Sequence, residues 1–111
     1  MAPDGTANYV GVEGRLRASM RALAAAPYEN LGLPWHPATE ASRQPLQPGQ
    51  PVELTFDLMP MSYLFKAGHR IRVTLQFADA RATARADPGP WVTVLHGPQS
   101  PSRIILPVIP R

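Results

Sequence analysis

Nucleophilic hydrolysis is the first chemistry to consider, because this chain holds five serines, three histidines and eight acidic residues. A catalytic serine needs a sharp turn, a histidine base beside it and an acid that orients the histidine. The Gly-x-Ser-x-Gly pattern of such a turn occurs at none of the serines, which are Ser19, Ser42, Ser62, Ser100 and Ser102. We therefore expect no serine nucleophile in the chain.

The histidines are the next candidates, as general bases or metal ligands. His36, His69 and His96 stand alone in sequence without metal-ligand spacing, although Asp57 or Asp79 could join one of them. We expect each to be a surface or turn residue, so we assign no catalytic, cofactor-binding or metal-binding residue. His69 is the most interesting, because it follows a glycine turn that its ring could fix by hydrogen bonding to the backbone.

Two arginines and two tryptophans could bind a ligand rather than react with it. Arg70 and Arg72 share the polar face of one segment, where cross-strand ion pairs with Glu53 or Asp57 are expected and an anionic ligand is the alternative. The two tryptophans, at positions 35 and 91, could form a sugar-stacking platform, but we expect them to pack in a core or loop.

Composition excludes several classes of function. The chain has no cysteine, so disulfides and thiolate chemistry are excluded, and its +3 charge comes from arginines scattered along 111 residues. Neither a basic run nor a glycine-rich phosphate loop is present, so we expect no nucleic-acid partner and no cofactor. No apolar run approaches the ~18 residues of a membrane helix and no export signal is evident, so we expect a cytoplasmic location.

The elements that would position these residues are strands. Apolar side chains alternate with polar ones in residues 52–58 and again in residues 69–77, which is the period of two of a half-buried strand. Residues 10–21, 91–96 and 103–109 complete five predicted strands, with a local helix as the other interpretation of the alanines at 22–26.

Turns and loops are expected between these strands. Residues 2–7 and 97–101, together with the glycine at 68, have turn composition. The six prolines of residues 27–51 predict a long connection whose aromatic rings lie on apolar surface, and residues 78–90 predict an exposed loop. The whole chain has 14 prolines and no confident helix. Together with the five strands, this predicts an all-β protein, namely a β-sandwich or part of a jelly roll.

Residues 57–73 have the sequence Asp-Leu-Met-Pro-Met-Ser-Tyr-Leu-Phe-Lys-Ala-Gly-His-Arg-Ile-Arg-Val. This segment resembles the C-terminal domain of the X-Pro dipeptidyl-peptidase and CocE/NonD family of serine hydrolases, and three further segments do so less specifically. Residues 13–21 (Glu-Gly-Arg-Leu-Arg-Ala-Ser-Met-Arg), 45–54 (Pro-Leu-Gln-Pro-Gly-Gln-Pro-Val-Glu-Leu) and 96–110, which open with His-Gly-Pro-Gln-Ser-Pro, follow the same order. The likeness therefore extends over nearly the whole chain.

The resemblance implies a galactose-binding-like jelly-roll β-sandwich that is not itself catalytic. In the family it packs against an α/β-hydrolase domain that carries the Ser, Asp, His triad, and no position here matches a triad motif. Residues 1–111 would be a partial jelly-roll domain that lacks its opening strand, and residues 78–87 depart from the family's usual loop.

These inferences give two hypotheses of different classes. The first is a non-catalytic domain that supports the hydrolase domain of an ester- or amide-cleaving enzyme and is inactive alone. The second is a stand-alone ligand-binding module that uses exposed aromatic rings. For partners, we expect either the catalytic domain or self-association through unpaired sheet edges.

Overall fold

The structure is a computed structural model that describes residues 1–77 and 90–110. In those ranges the regular elements are two single 3₁₀ turns, Ala18–Met20 and Glu40–Ser42. None of the helices found there is long and apolar enough to cross a membrane. The rest of the described backbone is irregular.

Both 3₁₀ turns are fixed by local hydrogen bonds. Before Ala18–Met20, the carbonyl of Arg17 accepts from the backbone N–H of Met20 at 2.7 Å. The Glu40–Ser42 turn has a capping box, in which the Thr39 hydroxyl accepts from the Ser42 N–H at 3.3 Å and the Ser42 hydroxyl accepts from the Thr39 N–H at 3.0 Å. Such reciprocal bonds satisfy amide groups that the start of a helix leaves unpaired.

The expected jelly-roll β-sandwich is wrong for this structure. Within the described ranges there is no sheet, and β-type pairing is limited to one isolated antiparallel bridge between Gly97 and Ser100. Residues 52–58, 69–77, 91–96 and 103–109 form no strand, and residues 10–21 contain a 3₁₀ turn instead. The described residues therefore offer no sheet edge for the self-association expected from the sequence.

The reason is that alternation in sequence sets which side a residue faces but does not supply a partner. A strand becomes part of a sheet only when a second backbone lies about 4.8 Å away and exchanges hydrogen bonds along its length. Within the described residues, such hydrogen bonding between distant segments stops after one or two bonds. The N–H of Met59 donates to the carbonyl of Glu13 at 2.9 Å, and Met1 and Arg70 exchange bonds through their backbone atoms.

The chain divides into two units, Met1–Arg72 and Val73–Arg111. In the first unit, residues 11–14 approach residues 57–61 closely. A Cβ added at Gly14 would overlap the carbonyl oxygen of Asp57 and lie 2.9 Å from Cδ2 of Leu58. Only a residue without a side chain allows this approach.

In the second unit, a turn joins residues 97–100. Gly97 and Ser100 exchange backbone hydrogen bonds of 3.3 and 3.1 Å, and the Ser102 hydroxyl donates to the carbonyl of Leu95 at 2.7 Å. The turn expected at residues 97–101 is confirmed. The predicted loop of residues 78–90 falls almost wholly on residues 78–89, which lie outside the described residues.

Two further predicted turns are confirmed in the first unit. Gly5 has a φ of 88° and its N–H donates to the carbonyl of Ala2, while the Asp4 carboxylate accepts from the N–H of Thr6 at 2.8 Å. Gly68 has a φ of 79°, and the N–H of His69 donates to the carbonyl of Lys66 at 3.1 Å. Glycine takes such φ values without the steric cost that other residues bear.

No residue of the described ranges is buried. The chain exposes 10246 Å² in total, whereas a closed globular protein of 12.1 kDa exposes roughly 6,000 Å². Among the described residues, even the best-covered apolar side chains are partly exposed, and Val108 and Ile109 are more than four-fifths exposed. The apolar faces predicted from the sequence therefore have no core to line within the described chain.

Acid should loosen the first turn. The backbone N–H of Thr6, which donates to the carboxylate, lowers the pKa of Asp4 from its ordinary value of 3.8. A lowered folded-state pKa gives a stabilisation that is present above pH 3.8 and is lost as the pH falls through the folded value. Carboxyl ¹³C shifts of Asp4 should titrate below those of a peptide Asp-Gly-Thr, and an equal midpoint would contradict the turn.

Replacing Gly14 should separate the two segments of the first unit. In Gly14→Ala the new Cβ meets the Asp57 backbone, so the local opening free energy should fall by about 1 kcal/mol or more. Hydrogen exchange of the Met59 amide, which bonds to Glu13, should become faster. Gly97→Ala is the matched control, because its Cβ would meet open space; an unchanged Met59 rate in Gly14→Ala would refute the contact.

Candidate functional site

His36 joins three segments of the first unit through its ring. Its Nδ1 lies 3.1 Å from the carbonyl oxygen of Ala22, and its Nε2 lies 2.9 Å from the carbonyl oxygen of Thr55. A neutral imidazole has one N–H donor and an imidazolium has two, so only the imidazolium donates to both carbonyls at once. We term this arrangement the His36 bridge.

Backbone bonds on either side hold the His36 bridge in place. The N–H of Ala24 donates to the carbonyl of Trp35 at 3.1 Å, and the N–H of Gln44 donates to the carbonyl of Ser19 at 2.7 Å. The Arg21 guanidinium donates to the carbonyls of Ala18 and Gln44. The connection of residues 27–51 is thus tied back to residues 18–24 at two places.

A shallow cavity of about 260 Å³ lies beside the His36 bridge. Residues 28–31 and 33–35 line it together with Asp57. Its walls include the rings of Tyr28 and Trp35 and two acidic residues, Asp57 and Glu29, and no lysine, arginine or histidine lines it. We call it the Trp35 cavity.

The turn beside this cavity has a defined geometry. Leu31 and Gly32 have φ values of 58° and 73°, and the N–H of Leu33 donates to the carbonyl of Asn30 at 3.1 Å, as in a type I′ turn. The Asn30 side chain accepts from the Gly32 N–H at 3.2 Å and donates to the Leu33 carbonyl at 2.7 Å. The Glu29 carboxylate accepts from the N–H of Leu31 at 2.8 Å. Leu31 itself is 86% exposed.

The residues considered for hydrolysis do not come together. The hydroxyls of Ser42 and Ser102 donate to the backbone carbonyls of Thr39 and Leu95, and neither bonds to a histidine. In the part of the chain that the structure describes, the rings of His69 and His96 make no hydrogen bond, so the ring contact expected of His69 is found at His36 instead. The sequence signal that could have indicated His36 is its rigid setting between two prolines, Pro34 and Pro37.

The expected arginine ion pairs are also not formed. Over residues 1–77 and 90–110, no ion pair joins Arg70 or Arg72 to Glu53 or Asp57. The ion pairs present there include Arg15–Glu13, which is partly exposed, and Arg43–Glu40, which is largely exposed. Arg70 lines a second cavity, of about 310 Å³, with residues 1–3 and two glycines. Exposed ion pairs of this kind contribute little to stability.

The two tryptophans differ in their surroundings. Trp35 is half-buried in the wall of the Trp35 cavity, as expected of a ring in the long connection, whereas Trp91 is fully exposed. Among the described residues, no group of three or more His, Asp or Glu side chains is arranged to hold a metal ion. Asp79, one possible acid partner of the histidines, lies outside the described residues.

Comparison with known proteins identifies relatives over nearly the whole chain. The model of the X-Pro dipeptidyl-peptidase C-terminal non-catalytic domain matches residues 1–105. A Mycobacterium bovis protein named "Putative serine esterase Mb1866c" is 43% identical over 111 residues, which cover 96% of this chain and 17% of that protein. A Bacillus anthracis protein named "Putative Xaa-Pro dipeptidyl-peptidase" is 38% identical over 64 residues, which cover 58% of this chain and 10% of that protein.

No solved structure matches the chain significantly. The chain spans about a sixth of the length of its mycobacterial relatives, 17% in each case.

Removing the ring nitrogens of His36 should release the segments that they join. His36→Phe keeps a planar ring but leaves the carbonyls of Ala22 and Thr55 without their contacts, at a cost of about 1 kcal/mol, because both sites are partly open to water. The Ala24 amide, which bonds to Trp35, should exchange faster with solvent. His69→Phe is the control. Equal exchange rates of the Ala24 amide in both variants would show that the His36 bridge does not hold these segments together.

Proposed function

Because the chain belongs to the family of X-Pro dipeptidyl-peptidase C-terminal non-catalytic domains, we propose that it supports the catalytic domain of a serine hydrolase that cleaves esters or amides. In this proposal the chain packs against an α/β-hydrolase domain that carries the reacting residues. The observation that carries the proposal is the match over residues 1–105 to a domain described as non-catalytic.

The length of the relatives supports a catalytic partner. The matched region is 17% of the mycobacterial protein and 10% of the Bacillus protein, and both relatives are named after hydrolases, an esterase and a dipeptidyl-peptidase. Most of each relative therefore lies outside the region that resembles this chain. A hydrolase active site located there agrees with the lack of any serine–histidine hydrogen bond within the described residues.

The exposed apolar surface supports packing as the mode of action. No described residue is buried, and the total exposed area exceeds that of a closed protein of this mass by several thousand Å². Burial of apolar area stabilises by roughly 25 cal/mol per Å², so even a partial cover would contribute tens of kcal/mol before the entropic costs of ordering. A large neighbouring domain is the partner that this surface fits.

A second candidate function rests on Trp91. Its ring is fully exposed, as a stacking platform for a sugar or another flat ligand requires. This observation favours a stand-alone binding module, but Trp35 does not share in it because that ring is half-buried.

The cytoplasmic location expected from the sequence stays a prediction.

The isolated chain should be inactive. Purified 111-residue protein should turn over p-nitrophenyl acetate and X-Pro p-nitroanilides no faster than a heat-treated sample, because no nucleophile–base pair is present in the described chain. Turnover above that control, lost in a serine variant, would refute the non-catalytic assignment.

A chimera tests the supporting role. The matched segment of the Mycobacterium bovis relative, 43% identical, is replaced by this chain, and a second form of the relative lacks the segment. We expect the chimera to stay soluble and to keep any p-nitrophenyl esterase activity that the relative shows, and the deletion to lose solubility or activity. A deletion as soluble and active as the intact relative would contradict the proposal.

A further inference from the structure

The Trp35 cavity has the size of a side chain rather than of a metabolite. Its volume of about 260 Å³ falls below the roughly 300–1,000 Å³ of small-molecule pockets, yet it would hold several water molecules at about 30 Å³ each. A group that enters it is therefore of the size of one long amino-acid side chain. Neither the family match nor the proposed supporting role assigns a function to this cavity.

The walls of the Trp35 cavity determine the charge of that group. Asp57 makes no hydrogen bond or ion pair within the described part of the chain, and Glu29 uses one carboxylate oxygen to accept from the N–H of Leu31. No basic side chain lines the cavity, although the whole chain carries a charge of +3. A cation is thus favoured at this place, where two acidic residues and no basic one line the cavity.

The walls also require an apolar stem. Apart from the two acids, the lining residues include two aromatic and three aliphatic ones; the set is Tyr28, Asn30, Leu31, Leu33, Pro34 and Trp35. A cation near the face of a tryptophan or tyrosine is attracted by the ring, and the methylene groups of arginine and lysine pack on apolar surface while the charged end reaches polar groups. Arginine also stacks on aromatic faces and pairs with carboxylates through two N–H groups.

We propose that the Trp35 cavity binds an arginine side chain presented by a polypeptide segment. The guanidinium lies between the carboxylate of Asp57 and the rings of Tyr28 and Trp35, and the stem lies on Leu33. In a peptide-borne arginine the flanking amide groups are uncharged, so the guanidinium is the one charge that meets Asp57 and Glu29, whereas free arginine also carries an α-ammonium and an α-carboxylate. This site does not depend on the proposed supporting role.

The test uses the 111-residue protein with Trp91→Phe, so that Trp35 is the one tryptophan that reports binding. The probe is N-acetyl-arginine amide, titrated by fluorescence, and N-acetyl-citrulline amide is the neutral probe of the same shape. We expect arginine to bind roughly two- to fivefold more tightly than citrulline, and Asp57→Asn to remove this preference. Glu53→Gln, an acidic position outside the cavity, should retain it.

Two binding results would overturn the proposal. These are equal binding of the arginine and citrulline probes, and equal loss of preference in Glu53→Gln and Asp57→Asn. Backbone NMR shifts at Leu31 and Leu33 provide a second measurement that is independent of tryptophan fluorescence. Shifts caused by the arginine probe should be confined to the residues of the cavity, and shifts spread over the chain would contradict a defined site.

Discussion

The constraint on which the rest of the structure depends is that no described apolar side chain is fully buried within the chain. A folded domain gains most of its stability by burying such groups, and this gain has to exceed the entropy lost on ordering the backbone. Without a core, the described conformation depends on hydrogen bonds, of which a few join distant residues and many are local. The turns at Gly5, Gly68 and Gly97 and the two 3₁₀ turns are all of this local kind.

The sequence could predict the local features for the same reason. The turn at Asp4 and Gly5 depends on the φ of one glycine and on a hydrogen bond that the Asp4 carboxylate accepts from the N–H two residues later. Both features can be inferred from neighbouring residues. The strands could not be predicted in this way, because a ladder depends on a second backbone far away in sequence. The alternation at residues 52–58 was real as a pattern of side chains, but the inference from it to a sheet was wrong.

In the candidate site, too, features that depend on distant residues could not be predicted from the sequence. The ring of His36 contacts residues 14 and 19 positions away, so its role could not be inferred from its neighbours alone; the bond considered from the sequence was one from His69 to the backbone of its own turn. The family, in contrast, was indicated by the motif at residues 57–73 and is confirmed by the match over residues 1–105. A motif can be recognised from neighbouring residues alone, whereas a sheet or a long-range contact depends on a distant pairing partner.

The turn of residues 30–33 has a consequence for folding. Its ends are three residues apart, so closing it costs little loop entropy, and events of this size take microseconds or less. Its backbone hydrogen bond joins residues three positions apart, and the bonds of the Asn30 side chain are made within the same four residues. One wall of the Trp35 cavity can therefore form early and independently, before any larger association orders the remainder of the chain.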